Sequence, residues 1–589
     1  DLMALYKFNT FHWHLTDDQG WRIEIKQYPK LTSIGGYRDS TVIGHYSDSP
    51  RRYDQISYGG FYSQEEVKDI VNYAKKKYIT VVPEIEMPGH SRAALAAYPE
   101  LSCTGIEQGV PGLWGVFDDI YCSKDASIQF MQNVLSEVLE LFPSTYIHIG
   151  GDEAPKTRWK ECEDCQKVIA KNGLKDEHEL QSYFIRQMDE FLTSKGRKLI
   201  GWDEILEGGL SPNAAVMSWR GTEGGIEAAK QKHEVVMTPT TYCYFDYYQS
   251  GHPSEPLAIG GYLPLEKVYA FDPMPEELTE EFEQYILGGQ ANLWTEYIPS
   301  MEQLEYMTYP RALALAQSVW CGNKPPYEEF LASYLTYHET YLERQGVHVA
   351  KSIHFPSMEI SRVKQGINVH FKGVEADYGY TVSTKHIGGY TMNGGVAMGK
   401  HDSLYFERVV NEATKKIRTT VLNEDGGEGL KQLFYVHSAL GLPIEMLTQP
   451  HPKFNHNGSL NLVDGVKGAR PWKGSEWLGF TEEKIEFIVD LEQVQSIDSL
   501  KLGFLEDKGS WIYLPNTVQV KVSKTNKWKK CQKKITADVR EENFALPIGK
   551  SGRFIKVSIT AMKLIPEGMD GGGHEPWTFI DELQLIVKP

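Results

Sequence analysis

The chain has 589 residues, more than a single hydrophobic core normally organises, and we expect about three domains. Its formal net charge of −18 at pH 7 argues against nucleic acid and anionic membranes as binding partners. The sequence has no uninterrupted apolar run of roughly 18 to 20 residues, so we predict no transmembrane segment.

From Phe8 to about Trp320, short apolar strands alternate with segments of helical period. Strands are predicted at residues 8–14, 79–85, 146–150, 198–202, 214–219, 234–238 and 291–294. This alternation is typical of an α/β protein whose parallel strands are joined by right-handed crossovers, as in a (β/α)8 TIM barrel. We find seven strands, and residues 1–6 read as the end of a helix, so we expect the first barrel strand to precede Asp1.

Helices are predicted between these strands, among them at residues 64–76, 126–142 and 178–194. In the first of them, Val67 and Val71 belong to one apolar stripe. Ser63 and Glu66 fit a capping box at its amino end.

After about Gly346 the pattern changes to short alternating strands separated by glycine-rich breaks. The segments GINVHF, GYTVST and IRTTVL predict a small β-sandwich over residues 346–432. A second β-rich unit is predicted over residues 433–589, with strands at 484–491, 499–505, 516–523, 553–559 and 580–587. The chain is therefore expected to contain a barrel, residues 1–345, followed by two β-sandwich domains.

In a (β/α) barrel the active site lies at the carboxyl ends of the strands, so the polar and aromatic residues that follow each strand are candidates. They are His14, Asp17, Asp18, Glu84, Glu86, His90, Asp152, Glu153, Trp202, Asp203, Glu204, Trp219, Arg220, Tyr244, Asp246, Trp294 and Glu296. Carboxylates and aromatic side chains suit a sugar, which has flat apolar faces edged with hydroxyl groups. A nucleotide would need a glycine-rich phosphate loop before a helix, and Gly150-Gly151 is too short for one.

The most informative block is H-I-G-G-D-E, His148 to Glu153. Its adjacent carboxylates leave the backbone in different directions and can serve two atoms of one substrate, although such residues also cap helices. The block resembles the hallmark of the family 20 glycoside hydrolases, the β-N-acetylhexosaminidases. Other blocks resemble that family in its chain order, namely FHWHLTDDQGWR (11–22), EIEMPGH (84–90), GWDE (201–204), SWRG (218–221), YFD (244–246) and NLWTE (292–296).

The resemblance implies a retaining exo-β-N-acetylhexosaminidase in which the substrate's own 2-acetamido oxygen attacks C1 and forms an oxazolinium, an exception to the two-carboxylate scheme. Glu153 would be the general acid and then the base, while Asp152 would hold the acetamido N–H. Tyr244 would bind the acetamido oxygen. The other implied site residues are the pocket wall of Trp202, Trp219 and Trp294, the hydroxyl ligands Asp246 and Glu296, and the supporting or substrate-binding residues Asp17, Asp18 and His90. The resemblance implies no cofactor for catalysis.

The sequence departs from the family at one position. The family has an arginine after the first barrel strand that binds O3 and O4 of the terminal sugar, and we expect it upstream of Asp1, behind a secretion signal. Arg38 and Arg51 lie on a later loop and are poor replacements. We therefore expect a secreted, periplasmic or cell-surface protein that acts on glycans ending in β-linked GlcNAc or GalNAc.

Three alternatives stay open. One is another family 20 specificity, such as that of a lacto-N-biosidase, and another is a sugar-binding protein without turnover, which only the missing arginine favours. The third is a metal-dependent amidohydrolase, because the strand period places His12 and His14 on one face. That class also needs histidines and an aspartate after later strands, where this chain has Trp202, Trp219 and Trp294.

The carboxyl-terminal unit resembles a discoidin-like, coagulation-factor type C domain through NLVDG (461–465) and IDEL (580–583). The resemblance implies a carbohydrate-binding module with a structural calcium ion, for which Asp464 and Glu582 are the predicted ligands. Four tryptophans are candidates for a sugar platform or for the core: Trp472, Trp477, Trp511 and Trp577.

Seven cysteines are too few and too scattered for a disulfide scaffold. Cys162 and Cys165 form a single C-x-x-C, which is compatible with a zinc half-site, a redox pair or chance, and no second C-x-x-C completes four ligands. Cys103 and Cys122 flank a loop and could pair in an oxidising compartment.

Overall fold

The computed structural model describes residues 1–587 apart from 253, 321, 355–356, 373–379, 386–390, 395–402, 408–414, 423–427, 471, 473, 529–533 and 567. The chain forms two compact units. The first comprises Asp1–Asp246, Leu257–Ile259 and Leu265–Val349, and the second comprises Tyr247–Pro256, Gly260–Pro264 and Ala350–Pro589. None of the described helices has the length and apolar character needed to cross a bilayer.

The first unit is built on a parallel sheet of seven strands that are neighbours in chain order. The strands are β1 Thr10–His14, β2 Thr80–Met87, β3 Tyr146–Gly150, β4 Lys198–Trp202, β5 Ala215–Ser218, β6 Val235–Met237 and β7 Ile286–Gly289. The sheet is curled. Its first and last strands approach each other, and the Gln290 side chain, which follows β7, lies 3.1 Å from the His12 ring on β1. This curled parallel sheet is consistent with the predicted TIM-like architecture.

The prediction of the last strand was wrong by a few residues. We expected residues 291–294 to form it, whereas β7 ends at Gly289. Its sequence, ILGG, has two glycines, which are depleted in strands, so propensity gives little signal there. In the loop that follows β7, Asn292 forms an isolated parallel β-bridge with Tyr244, so one residue of the predicted strand does pair as a strand residue would.

Helices lie between the strands in the chain and after the last strand. Their bounds are α1 Gln64–Lys76, α2 Asp125–Leu141, α3 Thr157–Glu161, α4 Glu163–Asn172, α5 Glu177–Ser194, α6 Glu223–Lys230, α7 Leu265–Ala270, α8 Met301–Thr308, α9 Arg311–Trp320 and α10 Thr336–Arg344. Further helical segments are Leu2–Leu5, Lys30–Ser33, Arg92–Ala97, Thr240–Cys243, Glu280–Glu283 and Tyr327–Glu329. The capping box predicted for α1 is confirmed, since Ser63 and Glu66 bond reciprocally and Val67 and Val71 are buried.

The second unit is rich in antiparallel strands. One sheet has Ser357–Val363, Gly366–Lys372 and Ser403–Glu407, and a second has Thr391–Gly394, Tyr380–Lys385, Lys415–Leu422 and Glu428–Val436. A third has Leu478–Phe480, Thr578–Val587, Lys484–Leu505, Asn543–Thr560, Thr517–Ser523 and Lys534–Asp538, with Ile444–Met446 added beside Lys484–Leu505. The predicted strands 484–491 and 499–505 are parts of one long strand, whose pairing register shifts near Asp490 and Ile497.

Candidate active site

The carboxyl ends of β1 to β4 meet around the buried Glu84. Its carboxylate lies 2.9 Å from His12 Nε2 and 2.8 Å from His148 Nδ1, and it accepts a hydrogen bond of 2.8 Å from the Trp202 indole. Burial lowers the pKa of His148 to about 4, so this ring is neutral at pH 7. Glu84 therefore ties four strands together beneath the site.

The Asp152–Glu153 pair follows β3 and faces one imidazole ring. His90 Nε2 lies 3.6 Å from Asp152 Oδ2 and 3.5 Å from Glu153 Oε2. The opposite ring nitrogen, Nδ1, lies 3.1 Å from Asp18 Oδ2 and 3.3 Å from Asp17 Oδ1. The structure thus brings together five of the predicted site residues, with His90 in the middle.

The pKa values of both His90 and Asp152 lie above their ordinary values. Burial disfavours a charged His90, but the carboxylates of Asp17 and Asp152 outweigh it and hold the pKa of His90 well above its ordinary value. Burial raises the pKa of Asp152 to about 8, against the opposing effect of His90. Strongly shifted titratable groups in a cleft are typical of catalytic sites.

The two glycines of H-I-G-G-D-E are needed for steric reasons. Gly150 has φ of +68°, and a Cβ atom there would lie 1.7 Å from Glu86 Oε2. Gly151 has φ of +95°, and its Cβ would lie 2.5 Å from the Ile205 side chain. Side chains are excluded here, so the backbone can turn sharply and present Asp152 and Glu153.

We expect Gly150→Ala to reduce stability and activity together. The left-handed backbone costs an alanine about 1–2 kcal/mol, and displacing the buried Glu86 adds about 1–3 kcal/mol. Because a misplacement of about 1 Å can cost 10²-fold in rate, kcat/KM should fall at least about tenfold. Thermal denaturation and initial rates measure the two effects.

Gly173→Ala is the matched control for this substitution. Gly173 has φ of +65°, nearly that of Gly150, but a Cβ atom there meets no other atom within 4 Å. The Gly173→Ala variant should therefore lose only the stability that the left-handed backbone costs an alanine, and it should keep its activity. Equal losses of activity in the two variants would show that the contact with Glu86 is unimportant.

Two predicted site residues have unusual backbone conformations. His90 has φ of +46° and Glu153 has φ of +42°, in the left-handed region that non-glycine residues seldom adopt. Such conformations cost about 1–3 kcal/mol each and persist only where the surrounding structure imposes them. They occur here at the two residues whose side chains face each other.

Trp202, Trp219, Tyr244 and Trp294 form an aromatic wall, in which Trp202 and Tyr244 are buried. The Trp202 and Trp294 rings lie 5.9 Å apart, and the Trp219 and Tyr244 rings stack at 6.2 Å. His14 packs edge-on against Trp294 at 5.0 Å. Flat, close-set rings of this kind suit the apolar face of a sugar.

Carboxylates fix the position of Trp219 in this wall. Its backbone N–H donates to Asp203 Oδ2 at 3.0 Å and its indole N–H donates to Glu204 Oε2 at 2.9 Å. Arg220 pairs with the same Asp203 at 2.5 Å and with Glu207 at 3.0 Å. The blocks GWDE and SWRG therefore interlock.

The remaining predicted sugar ligands differ in exposure. Asp246 is buried two residues after Tyr244. Glu296 is exposed and lies within electrostatic range of Asp17, His90 and Glu153. Arg38 and Arg51, which we judged poor replacements for the family's arginine, bind their own segments, Arg38 to Thr41 and Gln19 and Arg51 to Tyr46.

Sequence reasoning assigned no role to Glu84 and Glu86. Burial and the nearby carboxylates of Asp152 and Glu84 hold the pKa of Glu86 well above its ordinary value. Their spacing of two residues on β2 was the available signal, since it places both on one face of the strand. The same rule places His12 and His14 on one face of β1, where His12 lies beside Glu84 and His14 lies beside Glu86.

The residues predicted to bind calcium lie in the second unit, where Asp464 and Glu582 are buried next to each other. Asp464 Oδ1 accepts from the Val466 amide at 2.8 Å, and Glu582 Oε2 accepts from the Gly465 amide at 3.1 Å. Glu582 Oε1 contacts His437 Nε2. Calcium binding by Asp464 and Glu582 stays a prediction.

Three of the candidate platform tryptophans pack into one apolar cluster of the second unit. Trp477 is buried, and Trp472 and Trp577 contact the same group around Phe454 and Phe579. Trp511 stacks on His574 with ring centres 4.6 Å apart.

Comparisons with known proteins agree with the geometry of the first unit. Residues 1–323 match the catalytic domain of glycosyl hydrolase family 20. A β-hexosaminidase of Porphyromonas gingivalis is 55% identical over 322 residues, which are 54% of this chain and 40% of that protein. A β-hexosaminidase of Vibrio furnissii is 39% identical over 323 residues, 54% of this chain and 52% of that protein. The chain thus spans about half, or less, of the length of these relatives.

A solved structure also resembles the first unit. An exo-β-N-acetylglucosaminidase from Vibrio harveyi, in complex with N-acetylglucosamine, is 36% identical and superposes with a TM-score of 0.53 over 60% of this chain and 55% of that chain. The family model covers more than half of the residues, and the H-I-G-G-D-E block lies at the carboxyl end of β3. The prediction from the sequence is confirmed: the chain belongs to glycosyl hydrolase family 20.

Proposed function

We propose that the protein is a glycoside hydrolase, an exo-β-N-acetylhexosaminidase that removes terminal β-linked GlcNAc or GalNAc from glycans. The observation that carries the proposal is the Asp152–Glu153 pair at the end of β3, with His90 held between it and Asp17 and Asp18. Family membership and the names of the relatives support the same activity.

Glu153 is the general acid and base in this proposal. Its side chain keeps 23% of its exposure, so it can exchange a proton with a glycosidic oxygen and later with water. The strained backbone at Glu153 fixes the direction in which its side chain leaves the chain, and the neighbouring His90 ring restricts the movement of that side chain. Proton transfer therefore needs little reorganisation.

Asp152 stabilises charge on the acetamido group. Its Oδ1 atom is buried and has no hydrogen-bond partner among the residues that the structure describes. A buried carboxylate oxygen without a donor is costly, and an acetamido N–H is a donor that would satisfy it. The raised pKa of Asp152, about 8, falls when such a donor or a developing oxazolinium cation arrives, because both favour the ionised form.

Substrate assistance is the mechanism that this arrangement supports. The two-carboxylate mechanism places an acid and a nucleophile on either side of the scissile bond. Here Asp152 and Glu153 are consecutive residues that share one imidazole nitrogen, so they act from one side of the pocket. The nucleophile is then the substrate's own acetamido oxygen, which Tyr244 and the aromatic wall hold beneath C1.

The second unit and the location of the protein belong to the same proposal. We assign the β-rich region predicted over residues 433–589, from its two motifs, to a discoidin-like carbohydrate-binding module. A protein that trims terminal sugars from external glycans acts outside the cytosol, and we propose a secreted, periplasmic or cell-surface location.

The activity is tested with p-nitrophenyl N-acetyl-β-D-glucosaminide and the corresponding galactosaminide. The purified chain should release p-nitrophenol from both, and the ratio of the two kcat/KM values gives the sugar preference. An Asp152→Asn, Glu153→Gln double variant with an unchanged melting temperature controls for contaminating hydrolases. Release no faster than that of the double variant would contradict the proposal and leave a sugar-binding protein.

A further inference from the structure

Four cysteines from two distant parts of the chain meet at one point of the first unit. Cys103 and Cys122 flank the loop that follows β2, at the Ser102–Tyr121 bridge. Cys162 joins α3 to α4, and Cys165 lies in the first turn of α4. Both segments begin near the active site, since one follows His90 and the other follows Glu153.

The sulfur atoms are arranged as a compact group and not as disulfide pairs. The Sγ atom of Cys165 lies 3.6 Å from that of Cys103 and 3.6 Å from that of Cys122, which is 3.8 Å from Cys162. All four lie within 4.8 Å of one another. A disulfide requires about 2.05 Å. Four sulfurs at about 2.3 Å from a tetrahedral zinc ion are separated by about 3.8 Å, close to the observed spacings.

The surroundings suit a structural metal site. Cys122 and Cys165 are buried, and Cys103 and Cys162 are half-buried. The cysteines pack among apolar side chains that include Ile120, Trp159 and Leu180. The backbone amides of Ser123 and Lys124 hydrogen-bond to the sulfurs of Cys165 and Cys122, as N–H groups do around metal-bound thiolates.

We propose that Cys103, Cys122, Cys162 and Cys165 bind one zinc ion as four thiolates. Each thiol gives its proton to solvent and a sulfur lone pair to the metal, and no electron is transferred. All four coordination positions are then filled by protein, so the site is structural and takes no part in hydrolysis. The proposal stands on sulfur geometry and is independent of the proposed glycosidase activity.

The metal would fasten together the two loops that carry the site. Arg158 Nε donates to Asp119 at 2.9 Å, and the Trp159 indole donates to the Tyr121 carbonyl at 2.9 Å. These two hydrogen bonds already join α3 to the loop between Cys103 and Cys122. A zinc ion bound by the four cysteines would join the same two segments through metal–sulfur bonds. Its removal should loosen the segments on either side of His90 and Glu153.

Metal analysis of the purified full-length protein tests the assignment directly. Wild type should contain about one zinc per chain after dialysis, and Cys165→Ser and Cys103→Ser should contain less than a fifth of that. Cys243→Ser is the matched control, because Cys243 is a buried cysteine outside the group, and it should keep the metal. A thiol-reactive reagent that displaces zinc should lower the melting temperature of wild type by several degrees.

Cobalt replacement keeps the test independent of how well the variants fold. Cobalt-loaded wild type should show the d–d absorption of tetrahedral tetrathiolate cobalt, and Cys243→Ser should give the same spectrum. The proposal would be overturned if the wild-type protein contained no zinc, or if it contained iron instead of zinc. So would peptide mapping that finds these cysteines joined as two disulfides.

Discussion

Glu153→Gln is expected to lower kcat/KM by about 10²–10⁴ on substrates whose leaving group is a sugar, because a positioned general acid contributes that much. The amide keeps the size of the side chain and its place opposite His90 but cannot protonate the glycosidic oxygen. With p-nitrophenol as leaving group, which departs without a proton, the loss should be much smaller. Rates on N,N′-diacetylchitobiose and on the p-nitrophenyl glycoside measure the two cases.

Glu190→Gln is a matched control, since Glu190 is exposed on α5 and should lose nothing on either substrate. The contrast between leaving groups carries the test. A fall of the same size on both substrates would mean that Glu153 binds or positions the sugar and that another group supplies the proton.

Removing the acetamido group from the substrate should have a still larger effect. A p-nitrophenyl β-glucoside fits into any pocket that admits the larger acetamido sugar, yet it lacks the internal nucleophile. Intramolecular nucleophiles reach effective molarities of about 10⁵–10⁸ M, so we expect kcat/KM to fall at least about 10⁴-fold. Side-by-side initial rates with the two glycosides at matched concentrations measure it.

A thiazoline analogue of the oxazolinium gives the complementary measurement. It should inhibit tightly, because it has the fused-ring shape of the intermediate and acquires its charge when the ring nitrogen is protonated. Asp152→Asn should weaken this inhibition more than it weakens binding of N-acetylglucosamine, since the protonated ring nitrogen of the analogue forms an ion pair with Asp152, whereas the neutral acetamido N–H only donates a hydrogen bond. Comparable turnover of glucoside and N-acetylglucosaminide would exclude substrate assistance.

The fold of the first unit was largely predictable where local signals were strong. Strands β3 and β4 begin and end at the predicted residues, and α1 begins at its capping box. These elements combine a clear apolar period with distinct end signals. The prediction failed at β7, where two glycines stand in place of the usual strand formers. The sequence predicts the strand in the following loop instead, where Asn292 forms a bridge with Tyr244.

The site was predictable as a set of residues but not as a network. Strand ends identified Asp152, Glu153 and His90, because parallel strands bring their carboxyl ends to one edge. The meeting of Cys103 and Cys122 with Cys162 and Cys165 depends on how two loops pack, about which the spacing of cysteines carries no information. A second C-x-x-C, whose absence argued against a metal, is unnecessary when the fold supplies the other ligands from separate segments.

The left-handed backbone at Glu153 has a consequence for a saturation library at this position. Apart from glycine, asparagine and aspartate tolerate that conformation best, whereas valine, isoleucine and threonine are strongly disfavoured there. Inactive members of the library should therefore divide into two classes. Asparagine and aspartate should accumulate as well as the parent, while the β-branched members should be depleted by cellular proteolysis. Abundance in such a library would report the shape of the chain at Glu153, and turnover would report its chemistry.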